Sequence, residues 1–312
     1  MFSAGFLIQD RYEVLALLGQ GGMGHVYRGL DRQTQQPVAI KVLKPEVLAA
    51  DATLLERFLR EGEALRQLDH PNIVKMLQAV QQEQTHFLVM EYVEGGSLAE
   101  LLQQQAPLSI HRILEIALDI ADALTRAHRL NIIHRDLKPQ NVLLDANGRP
   151  RLSDFGVARM GDRSGVTASG ALIGTYAYVS PEVILGETVD ERADIWAFGV
   201  MLFEMLTGQR PFDAEMPIAV INAIVYKPAP EVLSLRPDAP PALASLILQM
   251  LDKDPQTRIA SVRLVGAELE ALLRGRDTPL TVPPRFATPT PPLPDSVLVA
   301  PLTPPSFQAP TP

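Results

Sequence analysis

The chain contains no cysteine. That excludes a disulfide framework, a thiolate metal site and a cysteine nucleophile, and it fits a reducing compartment. Basic residues are outnumbered, 28 Lys and Arg against 36 Asp and Glu, for a formal charge of −8. This balance argues against nucleic acid or an anionic membrane as the main partner. A long hydrophobic run is also missing. The longest, Ile195 to Leu206, is interrupted by Glu204 and flanked by Asp194. It is too short to span a bilayer and reads as a buried core helix. The opening MFSAGFLIQD has neither the basic nor the apolar segment of a secretory signal. No internal repeat is visible.

What is present is ordinary globular material: 312 residues, 46% hydrophobic and 21% charged. It is enough for one large domain or two lobes. Residues 10–94 alternate short apolar runs with turns. Tyr12–Leu18, His25–Leu30, Pro37–Leu43, Ile73–Val80 and Thr85–Met90 read as strands, with Val38–Ile40 and Phe87–Met90 buried on both faces. Leu54, Phe58, Leu65 and Leu68 recur at helical spacing, so one helix is expected over Leu54–Leu68. Residues 95–274 are mostly helical. The expected helices are Leu108–Arg129, Arg192–Thr207, Pro217–Tyr226, Pro241–Leu251 and Ala260–Leu273, with Gly208 as a stop. The expected fold class is α+β: a small five-stranded antiparallel sheet with one helix, and a larger helical part. Residues 275–312 hold 12 of the 27 prolines and read as an extended, disordered tail or linker.

Three groups of residues carry chemistry. In Gly19-Gln20-Gly21-Gly22-Met23-Gly24, the glycines at 19, 21 and 24 let backbone N–H groups approach phosphate oxygens. A plain hairpin turn is the alternative. The strand-like run from His25 that follows argues against a dinucleotide site, which needs a helix there. The second group is Lys41, which ends the apolar strand Val38-Ala39-Ile40. A buried ammonium needs partners, and phosphate plus a carboxylate would suit it. Glu61 lies three residues after Phe58 and four before Leu65, on the apolar stripe, whereas Glu63 points elsewhere. The third group is His134-Arg135-Asp136-Leu137-Lys138-Pro139-Gln140-Asn141, followed by Ser153-Asp154-Phe155-Gly156. Asp136 can accept a hydroxyl proton, Asn141 and Asp154 offer the hard oxygens magnesium prefers, and Lys138 can neutralise phosphoryl charge.

Together these motifs resemble the eukaryotic-like protein kinase family, and most of all its bacterial serine/threonine branch. The resemblance covers residues 10–274. It implies a bilobal fold with residues 10–94 as the small lobe and 95–274 as the large one. It further implies a glycine lid over ATP from Gly19 to Val26, with Lys41 on the α- and β-phosphates and paired with Glu61. Asp136 would be the catalytic base, with Asn141 and Asp154 on Mg2+ or, in its place, Mn2+. Met90-Glu91-Tyr92-Val93 resembles gatekeeper and hinge, with adenine bonded to backbone at Glu91 and Val93 and held between Val26, Ala39 and Leu143. Ser180-Pro181-Glu182 resembles the end of the activation segment, with serine where alanine is usual. Asp194-Ile195-Trp196-Ala197-Phe198-Gly199 and Arg258 match scaffold positions, Arg258 pairing with Glu182. Lys138 and Thr175 place the chain in the serine/threonine branch.

The implied activity is transfer of the ATP γ-phosphate to Ser or Thr hydroxyls of proteins in bacterial signalling. Thr167 and Ser169, between Asp154 and Glu182, resemble paired autophosphorylation sites whose phosphates dock on Arg135. A pseudokinase scaffold would lack a catalytic residue, and none is missing. A small-molecule phosphotransferase of similar fold would lack the full activation segment and the Asp194-x-Trp196 helix. The expected partners are ATP and protein substrates, with a homodimer through the small lobes as in similar kinases. The expected location is the cytoplasm, with a membrane tether only if more chain lies beyond residue 312.

Overall fold

A computed structural model of the chain describes residues 2–20, 24–43, 66, 68–155 and 173–275. Six strands form one antiparallel sheet: β1 (Leu7–Ile8), β2 (Tyr12–Gln20), β3 (Gly24–Asp31), β4 (Gln36–Leu43), β5 (Met76–Gln82) and β6 (Thr85–Glu91). Their order is β1-β2-β3-β4-β6-β5. The five expected strands are therefore joined by a two-residue strand too short to show a period. The expected helix Leu54–Leu68, apart from Arg66 and Leu68, lies outside the described residues, and Glu61 with it. So do Gly21, Gly22, Met23, Gly156, Thr167, Ser169 and residues 276–312.

Period-2 alternation sorts β4 into two faces. Val38, Ile40 and Val42 enter the core of the small lobe with Tyr12, Val14, Tyr27, Phe87 and Val89. Ala39 and Lys41 stay half-buried on the other face. The expectation of burial on both faces of Val38–Ile40 thus holds for one face only. Phe2 and Phe6 pack on the same core, with the Phe2 ring 4.5 Å from Phe6 and 5.5 Å from Phe87 between centroids.

The large lobe is built from α1 (Leu98–Gln105), α2 (Ile110–Arg129), α3 (Pro181–Leu185), α4 (Arg192–Thr207), α5 (Pro217–Tyr226), α6 (Val232–Leu235), α7 (Pro241–Met250) and α8 (Val262–Leu273). The hairpin β7 (Val142–Leu144) and β8 (Pro150–Leu152) completes it. Helix α2 starts at Ile110 because Ser109 caps it, its side chain accepting from the Arg112 N–H. Helix α4 is buried from Ala193 to Phe203, where the apolar run that starts at Ile195 follows the buried Asp194, and Gly208 ends it at φ 75°. It passes close to α7: a Cβ on Gly199 would lie 2.8 Å from the Met250 Cβ. Trp196 stacks on Phe212 with centroids 5.6 Å apart, and the Lys253 ammonium sits 3.7 Å from the Phe212 centroid. Among the described residues no helix is long and apolar enough to cross a membrane.

Candidate active site

The roof of the site is the face of the sheet turned away from the core of the small lobe. In the β3/β4 ladder Val26 stands opposite Lys41, and in the β4/β6 ladder Ala39 stands opposite Met90. Val26, Ala39 and Met90 therefore share one face with Lys41, and each is half-buried. The glycines are followed by a strand and not by a helix. The β2/β3 ladder extends through Gly19↔Val26 to Gln20↔His25, bringing Gly19, Gln20, Gly24 and Val26 beside the roof. Leu143 on β7 and Val93 after β6 are also half-buried. Gly95, just past Val93, allows the chain to press against β7, since a Cβ there would lie 2.4 Å from the Leu144 carbonyl oxygen.

Across the gap, Lys41 Nζ donates to Asp154 Oδ1. This ion pair joins residues 113 positions apart. Lys41 keeps 12% of its side chain exposed and Asp154 33%. Burial acts to raise the Asp154 carboxyl, but the Lys41 charge and hydrogen bond outweigh it and hold the group below the usual carboxylate range. Asp154 is therefore an anion at neutral pH. Its φ of 58° is left-handed, a local cost that points to functional constraint.

Asp136, Lys138 and Asn141 form one cluster. Lys138 Nζ donates to Asp136 Oδ2 at 2.7 Å, and Asn141 Nδ2 donates to the same oxygen at 3.0 Å and to the Asp136 carbonyl at 2.8 Å. A short 3-10 turn, Pro139–Asn141, sets that spacing. The Asn141 carbonyl in turn accepts from Ser153 N at 2.9 Å and Ser153 Oγ at 3.1 Å. The residue before Asp154 is thus tied to the residue that anchors Asp136.

The loop carrying Asp136 is held from below. Asp194, at the start of α4, accepts from the backbone N–H of His134 at 2.8 Å and of Arg135 at 2.9 Å. Arg135 has φ 63°, so this carboxylate steadies a strained backbone. His128 Nε2 lies 2.8 Å from Asp194 Oδ2. His134 is completely buried, its ring 4.5 Å from that of Phe155. Burial pushes its imidazole down, against the opposing pull of Asp194, Asp136 and Asp154, so it stays neutral. Further out, Arg258 donates to Glu182 at 2.8 and 3.0 Å, both side chains almost fully buried.

The sequence motifs that anticipated these residues missed Arg151 on β8. It donates to Glu91 Oε1 and, at 3.2 Å, to the Ile73 carbonyl. No local pattern signals a pair sixty residues apart.

The family model described as "Protein kinase domain" matches residues 12–268. The chain belongs to the protein kinase family. It is 37% identical over 263 residues to the "Probable serine/threonine-protein kinase PknB" of Lactococcus lactis, covering 84% of this chain and 42% of that protein. It is 35% identical over 266 residues to the "Serine/threonine-protein kinase PrkC" of Bacillus subtilis, covering 85% and 41%. It is also 35% identical over 309 residues to the "Serine/threonine-protein kinase pkn3" of Myxococcus xanthus, covering 96% and 55%. The chain spans about two fifths of the length of the first curated relatives it matches.

Proposed function

We propose that the chain is a serine/threonine protein kinase of bacterial signalling, which transfers the ATP γ-phosphate to Ser and Thr hydroxyls of proteins. The observation that carries this reading is the meeting of Lys41 from the sheet lobe with Asp154, next to the Asp136–Lys138–Asn141 cluster. The names of the relatives support the same class and hydroxyl type. The kinase unit is taken as residues 10–274 and residues 275–312 as its tail.

The site suits a divalent metal that arrives with the nucleotide. Asp154 is an ionised oxygen donor, and Asn141 spends its amide N–H on Asp136, which leaves its oxygen for a cation. Among the described residues no group of three or more His, Asp or Glu gathers to hold a metal, at this site or away from it. A small hard ion such as Mg2+ needs only one or two protein oxygens beside phosphates, and Mn2+ fits the same donors. Bound there, it would supply charge neutralisation at the phosphates.

The protein's own residues do the rest. Lys41, released from Asp154, holds the nonbridging phosphate oxygens. With Lys138 and Asn141 both donating to Asp136 Oδ2, the carboxylate turns Oδ1 toward the incoming hydroxyl and accepts its proton. Lys138 then steadies charge on the transferring group. Adenine lies between Val26, Ala39 and Leu143, bonded to backbone at Glu91 and Val93, and Glu61 is the partner of Lys41 in the active state. Turnover on the order of 1–100 per second is expected.

Thr167 and Ser169 are proposed autophosphorylation sites acting through Arg135, in cis or between two copies. Incubation with labelled ATP and Mg2+, followed by phosphosite mapping, tests the whole reading. Wild type should label Ser and Thr only, with Thr167 and Ser169 among them. Asp136→Asn should fall by about 10^3-fold or more while still binding nucleotide. Label passing to a small-molecule acceptor but to no protein would favour the other phosphotransferase class.

A further inference from the structure

Outside the reacting groups, one ion pair crosses from the hinge to the lower lobe without an evident part in phosphate chemistry. Glu91 ends β6, and its Oε1 accepts from Arg151 Nη2 on β8 and, at 2.6 Å, from the Lys75 backbone N–H. The Glu91 N–H returns a bond to the Lys75 carbonyl at 3.0 Å. Arg151 also donates to the Ile73 carbonyl at 3.2 Å, and Ile73 bridges to Leu152. One carboxylate oxygen therefore gathers the end of the hinge strand, the segment entering β5, and the hairpin behind the site. Neither partner is free on the surface: Arg151 keeps 20% of its side chain exposed and Glu91 29%. An ion pair this shielded is less screened than one in open solvent.

The placement matters because of what each partner's neighbours do. Arg151 stands opposite Leu143 in the β7/β8 ladder. Leu143 is half-buried and is one of the residues proposed above to hold adenine. Glu91 supplies hinge backbone next to Met90, which stands opposite Ala39 of the roof. The pair thus links the hinge backbone to the strand partner of Leu143, two surfaces the proposed adenine ring would touch together. We propose that Glu91 and Arg151 are positioning residues for the adenine subsite, acting through the hinge backbone and Leu143 and not through the phosphates. This rests on the reading that the hinge receives adenine.

The test is direct binding by calorimetry of ATP with Mg2+, and of adenosine alone, to the full chain. Arg151→Met, Arg151→Lys and Glu91→Gln are compared with wild type, and melting without ligand is recorded for each. Arg151→Met should weaken ATP and adenosine by the same factor, about tenfold. Arg151→Lys should restore most of the loss, because an ammonium can still reach the carboxylate. Glu91→Gln should weaken both ligands in the same way. Unchanged or tighter binding in Arg151→Met would overturn the proposal. So would a loss for ATP with none for adenosine, or a drop in melting temperature with binding intact. Should wild type itself bind neither ligand, it is the kinase reading that fails, and that result is distinct from every variant outcome.

Discussion

Asp31 and Arg11 show how one pair of residues gives the small lobe a pH response. Arg11 donates to both Asp31 oxygens, at 3.0 and 2.7 Å. The Arg11 hydrogen bond is the main cause holding the Asp31 carboxyl at about 2, below its ordinary 3.8. A depressed carboxylate contributes stability that is complete above its unfolded value and is lost as pH falls through the folded one. Asp31→Asn should therefore lower unfolding free energy by about 1 kcal/mol at neutral pH, modest because Arg11 is a third exposed. Urea midpoints of variant and wild type should converge as pH approaches 2. Glu182 and Arg258 are a harder case, because both are buried. Removing one partner strands the other charge in the interior. Arg258→Leu should cost about 3–5 kcal/mol, read by denaturant unfolding at neutral pH.

Among the elements, α4 and α7 are a pair that approach closely, at Gly199. Gly199 lets the two helices approach, and Gly199→Ala must push Met250 away. A loss of about 1–3 kcal/mol is expected, seen as a lower melting temperature with helical content retained below it. The long elements were legible in the residues. The range read for α4, Arg192–Thr207 with a stop at Gly208, is the range observed, and Pro217 opens α5 as read. The shorter ones were not. Helix α1 was not read, being only two turns long, although Leu98, Leu101 and Leu102 stand at helical spacing and the Ser97 and Glu100 capping box marks its start. Strands β1, β7 and β8 have two or three residues each, below any periodic signal. In the candidate site, Asp136, Lys138 and Asn141 could be picked out as a group because they cluster in sequence, and they meet in the structure. Arg151 escaped because its partner is fixed only by tertiary contact.

At the scale of the whole molecule, the two lobes meet through side chains as well as backbone. Lys41 reaches Asp154, and Val74 N–H donates to the Leu152 carbonyl at 2.8 Å. Lys41→Met should lower phosphate transfer by about 10^2–10^3-fold while each lobe keeps its fold, checked by steady-state assay beside circular dichroism. The lobes also differ in a way that can be watched. The chain has a single tryptophan, and it is Trp196, completely buried in α4 beside Phe212. Its emission is a one-channel reporter of the helical half. Opening of the sheet half alone would be dark in that channel and visible in far-ultraviolet ellipticity, so a gap between the two curves on heating would measure how independently the halves come apart.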